Sequence, residues 1–123
     1  MTTGEQVPDV PQLVLEASER CEGYLSPTPL EYSMYLSQQI DGEVWLKLDS
    51  MQRTSSFKFR GALNKILSLT ELELDKGVVS ASTGNYALAV AEAVGLRKRR
   101  ATIYVSEDLE PSRDLGQAVA AAA

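Results

Sequence analysis

Lys58 stands in the run Ser55-Ser56-Phe57-Lys58-Phe59-Arg60-Gly61-Ala62, where a polar loop gives way to a helical pattern. A lysine amine attacks an aldehyde only when deprotonated, and its pKa in water, about 10.4, leaves a very small neutral fraction at neutral pH. Desolvation or a neighbouring cation must lower that value before the amine can work as a nucleophile. Phe57 and Phe59 are expected to supply an apolar surround, and Arg60 a positive charge nearby. Local physics alone does not overturn the ordinary reading of a solvated lysine at a helix start. A second candidate, Ala81-Ser82-Thr83-Gly84-Asn85-Tyr86-Ala87, falls between a strand pattern and a helix pattern. Free backbone N–H groups at a helix N-terminus attract carboxylates and phosphates. Gly84 permits close approach there, and Ser82 and Thr83 add hydroxyl donors. An ordinary capping turn uses the same residue types, so both readings stay open at this level.

Composition narrows the chemistry further. The 123 residues include no histidine, which removes the usual general base and the commonest zinc ligand. Ser-His-Asp, Cys-His and His-metal mechanisms are excluded for this chain alone, and no metal site is expected. Lysine, carboxylates, tyrosine, hydroxyls and backbone amides remain. Cys21 is the single cysteine, so no internal disulfide can form. It reads as a buried or half-buried thiol, because a reactive one would need an activating base. The formal net charge of -5, from 17 acidic and 12 basic residues, argues against nucleic acid or a membrane surface as a partner. Small molecules are the expected partners. The basic run Arg97-Lys98-Arg99-Arg100 reads as a solvated turn. No basic, then apolar, leader opens the chain and no apolar run reaches bilayer length, which predicts a soluble cytoplasmic protein.

The elements that must position these residues can be read from pattern. Residues 1–10 are polar and patternless, a disordered arm by expectation. Asp9 with Pro11 opens a helix carrying Leu13, Val14, Ala17 and Cys21 on one face, with Gly23 past its end. Ser26-Pro27-Thr28-Pro29-Leu30 is forced to be extended, because residues before proline are pushed out of the helical region. The pattern predicts a helix over Glu31 to Gln39, a turn at Asp41-Gly42 and a strand over Glu43 to Asp49. A helix follows from about Ser56, with Ala62, Leu63, Ile66 and Leu67 at helical spacing, then a short one announced by the capping box Thr70 and Glu73. Val78 to Ala81 reads as a buried strand, Asn85 to Val94 as an apolar helix and Ala101 to Val105 as a strand. Such a βαβ unit implies an α/β fold with a parallel sheet and a right-handed crossover. Ligands of such sheets sit at the carboxyl ends of strands, where Ser82 to Asn85 lie. An alanine-rich tail closes the chain.

Taken together, the segments resemble the β-family, or fold type II, of pyridoxal-phosphate enzymes. Thr28-Pro29-Leu30, Leu46-Lys47-Leu48-Asp49, Ser56 to Ala62 and Ser82-Thr83-Gly84-Asn85 occur in that family's order. The resemblance implies that Lys58 forms a Schiff base with pyridoxal 5'-phosphate and is the catalytic residue. It gives a cofactor-binding set of Phe57, Lys58 and Asn85, with Asn85 bonded to the cofactor's phenolic oxygen. It assigns the substrate carboxylate to Ser82, Thr83, Gly84 and Asn85. Lys58-Phe59-Arg60-Gly61-Ala62 looks like the serine/threonine dehydratase and serine racemase branch, since other branches usually have Asp after the lysine. Two departures bear on substrate choice. Tyr86 replaces a histidine usual in the branch, and Thr83 stands where racemases carry a serine.

The expected organisation is an N-terminal arm and helix over residues 1–24, the N-terminal part of the enzyme domain over 25–111, and the tail over 112–123. The expected activity is a lyase reaction that releases ammonia from L-serine or L-threonine, with association into a homo-oligomer left open. The family's glycine-rich phosphate cup and its partner for the pyridine nitrogen are not found in this sequence. That predicts a truncated chain, inactive alone and poorly stable. Alternatives are a non-catalytic fragment or a module pairing with a full-length relative, and a βαβ protein unrelated to the cofactor.

Overall fold

The computed structural model describes residues 8–106. The expected arm therefore lies outside the described residues up to residue 7, and the alanine-rich tail lies wholly outside them. Val10, the last residue of the expected arm, already belongs to a helix. Helix α1, Val10–Arg20, starts where Asp9 Oδ1 accepts the Gln12 amide at 3.3 Å. It ends at Cys21, two residues before Gly23, whose φ of +79° only glycine adopts freely. Cys21 is buried, whereas Leu13 and Val14 on the same expected face are exposed. Only the end of that face is covered among the described residues.

The segment after Pro29 departs from the expected helix. Leu30–Tyr32 forms strand β1, and helix α2 is confined to Met34–Ile40. The prolines hold the chain extended, and β1 finds a partner in β2, Trp45–Lys47. They pair antiparallel with Leu30 opposite Lys47 and Tyr32 opposite Trp45, whose rings meet edge to face at 5.3 Å. Helix α2 is capped by Ser33 and stopped at Asp41, which takes φ of 51° itself instead of leaving the left-handed position to Gly42. Strand β2 is shorter than its alternating pattern, because the chain turns into a 3-10 helix at Asp49–Met51.

Helix α3, Lys58–Leu67, packs on α5, Asn85–Leu96. Phe59, Ala62, Leu63 and Ile66 from α3 meet Ala89, Val90, Ala93 and Val94 from α5. Small residues on α5 let the helices approach closely, and Phe59 and Leu63 fill the space between. The short α4, Glu71–Asp75, carries the predicted capping box, with Thr70 Oγ1 accepting from Glu73 N and Glu73 Oε2 accepting from Thr70 N. Strands β3, Val78–Ala81, and β4, Ala101–Tyr104, pair parallel with Val78 beside Ala101 and Ala81 beside Tyr104. With α5 between them they form the predicted βαβ unit. The basic run is not simply solvated. Arg97 and Arg99 both hold Glu71, and Arg99 also pairs with Asp75 at 3.2 Å, fastening α4 to the turn before β4.

Candidate active site at the start of helix α3

Lys58 is the first residue of α3. Its side chain is exposed and takes part in no hydrogen bond or ion pair with the other described residues. The two phenylalanines do not flank it as expected. Successive helix residues point about 100° apart, so Phe59 turns into the core at 0% exposure while Phe57, just before the helix, stays 66% exposed. Only Phe57 remains available as an apolar wall.

Arg60 is also differently employed. Its guanidinium grips Asp49 with two bonds, Nε to Oδ2 at 2.6 Å and Nη2 to Oδ1 at 2.8 Å. Thr28 Oγ1 donates to Asp49 Oδ1 at 2.7 Å, and Lys47 Nζ donates to the Thr28 carbonyl at 2.6 Å. The arginine's charge is thus largely neutralised by Asp49 and is not spare for Lys58. Thr28, Lys47, Asp49 and Arg60, read in the sequence as separate motif matches, are one polar assembly. The clue lay in their types, since a carboxylate and a guanidinium in two motifs could pair, but nothing in the spacing required it.

The loop between Asp49 and Lys58 is pinned at several points. Buried Gln52 donates to the Ser26 carbonyl at 2.9 Å. Ser55 takes φ of 51°, a left-handed conformation uncommon for serine, while its amide bonds the Gln52 carbonyl at 2.7 Å. Arg53 reaches Glu92 on α5 at 2.8 Å. Buried Ser56 accepts the Lys58 amide at 3.3 Å.

At the other segment, Gly84 precedes α5 with no side-chain cap, so the first-turn amides of that helix stay free of a capping side chain. Ser82 is half-buried and accepts the Gly84 amide at 3.4 Å. Thr83 and Asn85 are exposed, and a Cβ at Gly84 would meet no atom within 4 Å. An anionic group therefore has both donors and room there. A cleft of about 450 Å3 joins the two segments, lined by Lys47, Asp49, Ser50, Ser55, Ser56, Phe57 and Asn85. Phe57 and Asn85 thus meet across one space. Lys58 follows Phe57 in sequence but does not line that space, and Ser82, Thr83 and Gly84 are also outside the lining. A larger cleft, about 840 Å3, lies between α1 and α3 and contains none of the predicted site residues.

Electrostatics single out Asp49. The hydrogen bonds from Arg60, then that from Thr28, hold its carboxyl far below the ordinary carboxylate range. A group with a depressed folded pKa stabilises the fold above its unfolded value of about 3.9 and loses that contribution as pH falls below it. Glu73 is lowered too, by its bonds to Thr70, and acts in the same direction. The melting temperature should therefore fall steadily below about pH 4. Asp49→Asn should cost about 1.5 kcal/mol at neutral pH, the low end for charged hydrogen bonds because Arg60 is 36% exposed. It should also flatten the acid limb, leaving the part due to Glu73. An acid limb unchanged by the substitution would contradict this account.

The fold and these segments define an α/β protein in which a helix opening on a lysine packs beside a helix whose uncapped start can receive an anion. The family model for pyridoxal-phosphate dependent enzymes matches residues 22–122, and the chain belongs to that family. L-threonine dehydratase catabolic TdcB of Staphylococcus aureus (strain USA300) is 50% identical over 93 residues, 75% of this chain and 27% of that protein. The enzyme of the same name from Escherichia coli (strain K12) is 47% identical over 78 residues, 63% of this chain and 24% of its own length. Serine racemase from Dictyostelium discoideum superposes with a TM-score of 0.82 at 37% identity, over 91% of this chain and 36% of that one. The processed form of threonine deaminase isoform 2 from Solanum lycopersicum gives a TM-score of 0.72 at 30% identity, over 98% of this chain and 36% of that one. The fold is the α/β arrangement expected, matching part of a fold type II enzyme. The chain spans about a quarter of the length of the curated relatives it matches.

Proposed function

We propose that the chain is the lysine-bearing part of a pyridoxal-phosphate-dependent ammonia-lyase that acts on L-serine or L-threonine, working as a soluble cytoplasmic enzyme. The observation that carries this reading is the shared cleft. Phe57, next to Lys58, and Asn85, at the uncapped start of α5, line one space of small-molecule size. The cofactor would supply an electron-poor ring able to hold the charge left when a substrate loses its α-proton. Lys58 Nζ would bond the cofactor and, once freed, accept that proton. Asn85 would donate to the cofactor's phenolic oxygen, and Phe57 would wall its ring from water. Ser82, Thr83 and the amides after Gly84 would bind the substrate carboxylate.

No described helix is long and apolar enough to cross a membrane. The names of the relatives, threonine dehydratase and serine racemase, support an amino-acid substrate. A second reading, a module that pairs with a longer relative, draws support from exposed apolar residues on β3 and β4, Val79 and Tyr104 among them.

The two readings separate in one experiment. Pyridoxal phosphate is added, visible absorbance is followed, and the product is reduced with borohydride and digested to find the modified lysine. Lys58 should carry the label in clear excess over the other lysines. Label spread over exposed lysines alike would count against the enzyme reading and in favour of the pairing module.

A further inference from the structure

Helix α3 begins without an N-cap side chain, its Phe59 and Arg60 amides bonding the Ser56 and Phe57 carbonyls at 3.3 and 3.1 Å. Phe57 provides no side-chain cap, and the hydroxyl that reaches the first turn, Ser56 Oγ, does so at 3.3 Å to the Lys58 amide. Uncapped first turns fray, and Lys58 sits at the very end of one. Two residues on, Arg60 is held at both nitrogens of its fork by Asp49, which is itself seated on Thr28. Those partners come from an extended segment and a 3-10 turn distant in sequence, both outside the helix.

The arrangement fixes rotation as well as position. Phe59 anchors the turn in the core, and Arg60 anchors it about 100° further round the axis. With two adjacent directions held, the third, that of the Lys58 Cα–Cβ bond, is set as well. Apolar packing alone would leave the turn free to rock about Phe59, whereas a bidentate fork resists rotation because both bonds must break together. The pair also stands between two spaces, Asp49 lining the smaller cleft and Arg60 the larger.

We propose that Asp49 and Arg60, seated on Thr28, form a positioning pair that holds the first turn of α3 and so sets the direction from which Lys58 can reach the cleft lined by Phe57 and Asn85. The aim at a cofactor rests on the reading of Lys58 given above. The holding of the turn does not.

The test measures both parts on the same proteins. Arg60→Met and Asp49→Asn are compared with wild type and with Asp49→Glu, which keeps the charge. Amide hydrogen exchange is read at residues 58–61 and across α5, and borohydride-fixed pyridoxal phosphate is mapped over the lysines. Both disrupting variants should speed exchange in the first turn of α3 by roughly tenfold beyond whatever change α5 shows, as expected for local opening added to the loss of global stability. The share of label at Lys58 should fall roughly tenfold, the effect of about 1.4 kcal/mol lost at one site. Asp49→Glu should recover most of both, which a loss of general stability would not explain. Unchanged exchange at 58–61 would overturn the proposal, as would equal loss of protection through α5, which would make the pair a support of the whole fold. Faster exchange with label still concentrated on Lys58 would overturn the aiming role. If wild type itself shows no preference for Lys58, the cofactor reading fails and the aiming role with it, while exchange still decides whether the pair holds the turn.

Discussion

In a cofactor-loaded chain extended by the C-terminal part its relatives have, replacing Lys58 by Ala will remove the lysine-linked visible absorbance and leave at most trace turnover. The substitution is structurally mild. Lys58 is exposed, makes no ion pair among the described residues, and gives way to the residue with the best helix propensity. Such surface changes usually stay within about 0.5 kcal/mol of wild type, so the melt should barely move. The loss is then chemical, because Ala has no amine to bond the cofactor or take a proton. Ser82→Ala and Thr83→Ala should do the opposite. They should keep the absorbance and weaken substrate binding by roughly 1.5 to 3 kcal/mol per charge-assisted hydrogen bond. Absorbance and substrate titrations on the three variants check the division of labour. A Lys58→Ala protein with normal colour and turnover would end the assignment, and unchanged substrate affinity in both hydroxyl variants would leave Ser82 to Asn85 an ordinary capping turn.

The parts of this fold that are legible in the sequence are those set by local chemistry. The capping box at Thr70, the strand Val78–Ala81 and the apolar helix from Asn85 each follow from a short pattern, although the strand expected to be buried is half-exposed, with Val79 70% exposed. Glu31 and Tyr32 read as the start of a helix because their strand identity comes from a partner, Trp45–Lys47, beyond a turn and another helix. The same limit explains the site. Lys58, Ser82, Thr83, Gly84 and Asn85 stand out as candidates only through the order of the motifs they share with the family. The roles of their neighbours cannot be read from the sequence, because which way Phe59 and Arg60 point depends on the phase of α3. That phase is set by the α5 surface and by Asp49. Aromatic neighbours at plus and minus one look symmetrical in sequence, and a helix starting between them makes them unlike.

That asymmetry gives the largest expected effect on folding. Phe59→Ala removes a fully buried ring from the contact between α3 and α5, where Leu63, Val90 and Val94 are already tightly covered. Buried Phe to Ala changes cost about 3 to 5 kcal/mol, from lost transfer energy and the cavity left behind. Whole domains have only about 5 to 15 kcal/mol to lose. The midpoint should drop by roughly 15 °C or more at the usual 4 to 8 °C per kcal/mol for a small domain, or the cooperative transition should vanish. Phe57→Ala should leave the melt almost unchanged, since that ring is 66% exposed and belongs to the cleft. Its effect should appear instead as weaker retention of pyridoxal phosphate. Thermal melts of the two variants side by side decide the matter. If both lose stability equally, or if Phe57→Ala is the worse, the first turn of α3 is rotated from the phase described, and the direction assigned to Lys58 goes with it.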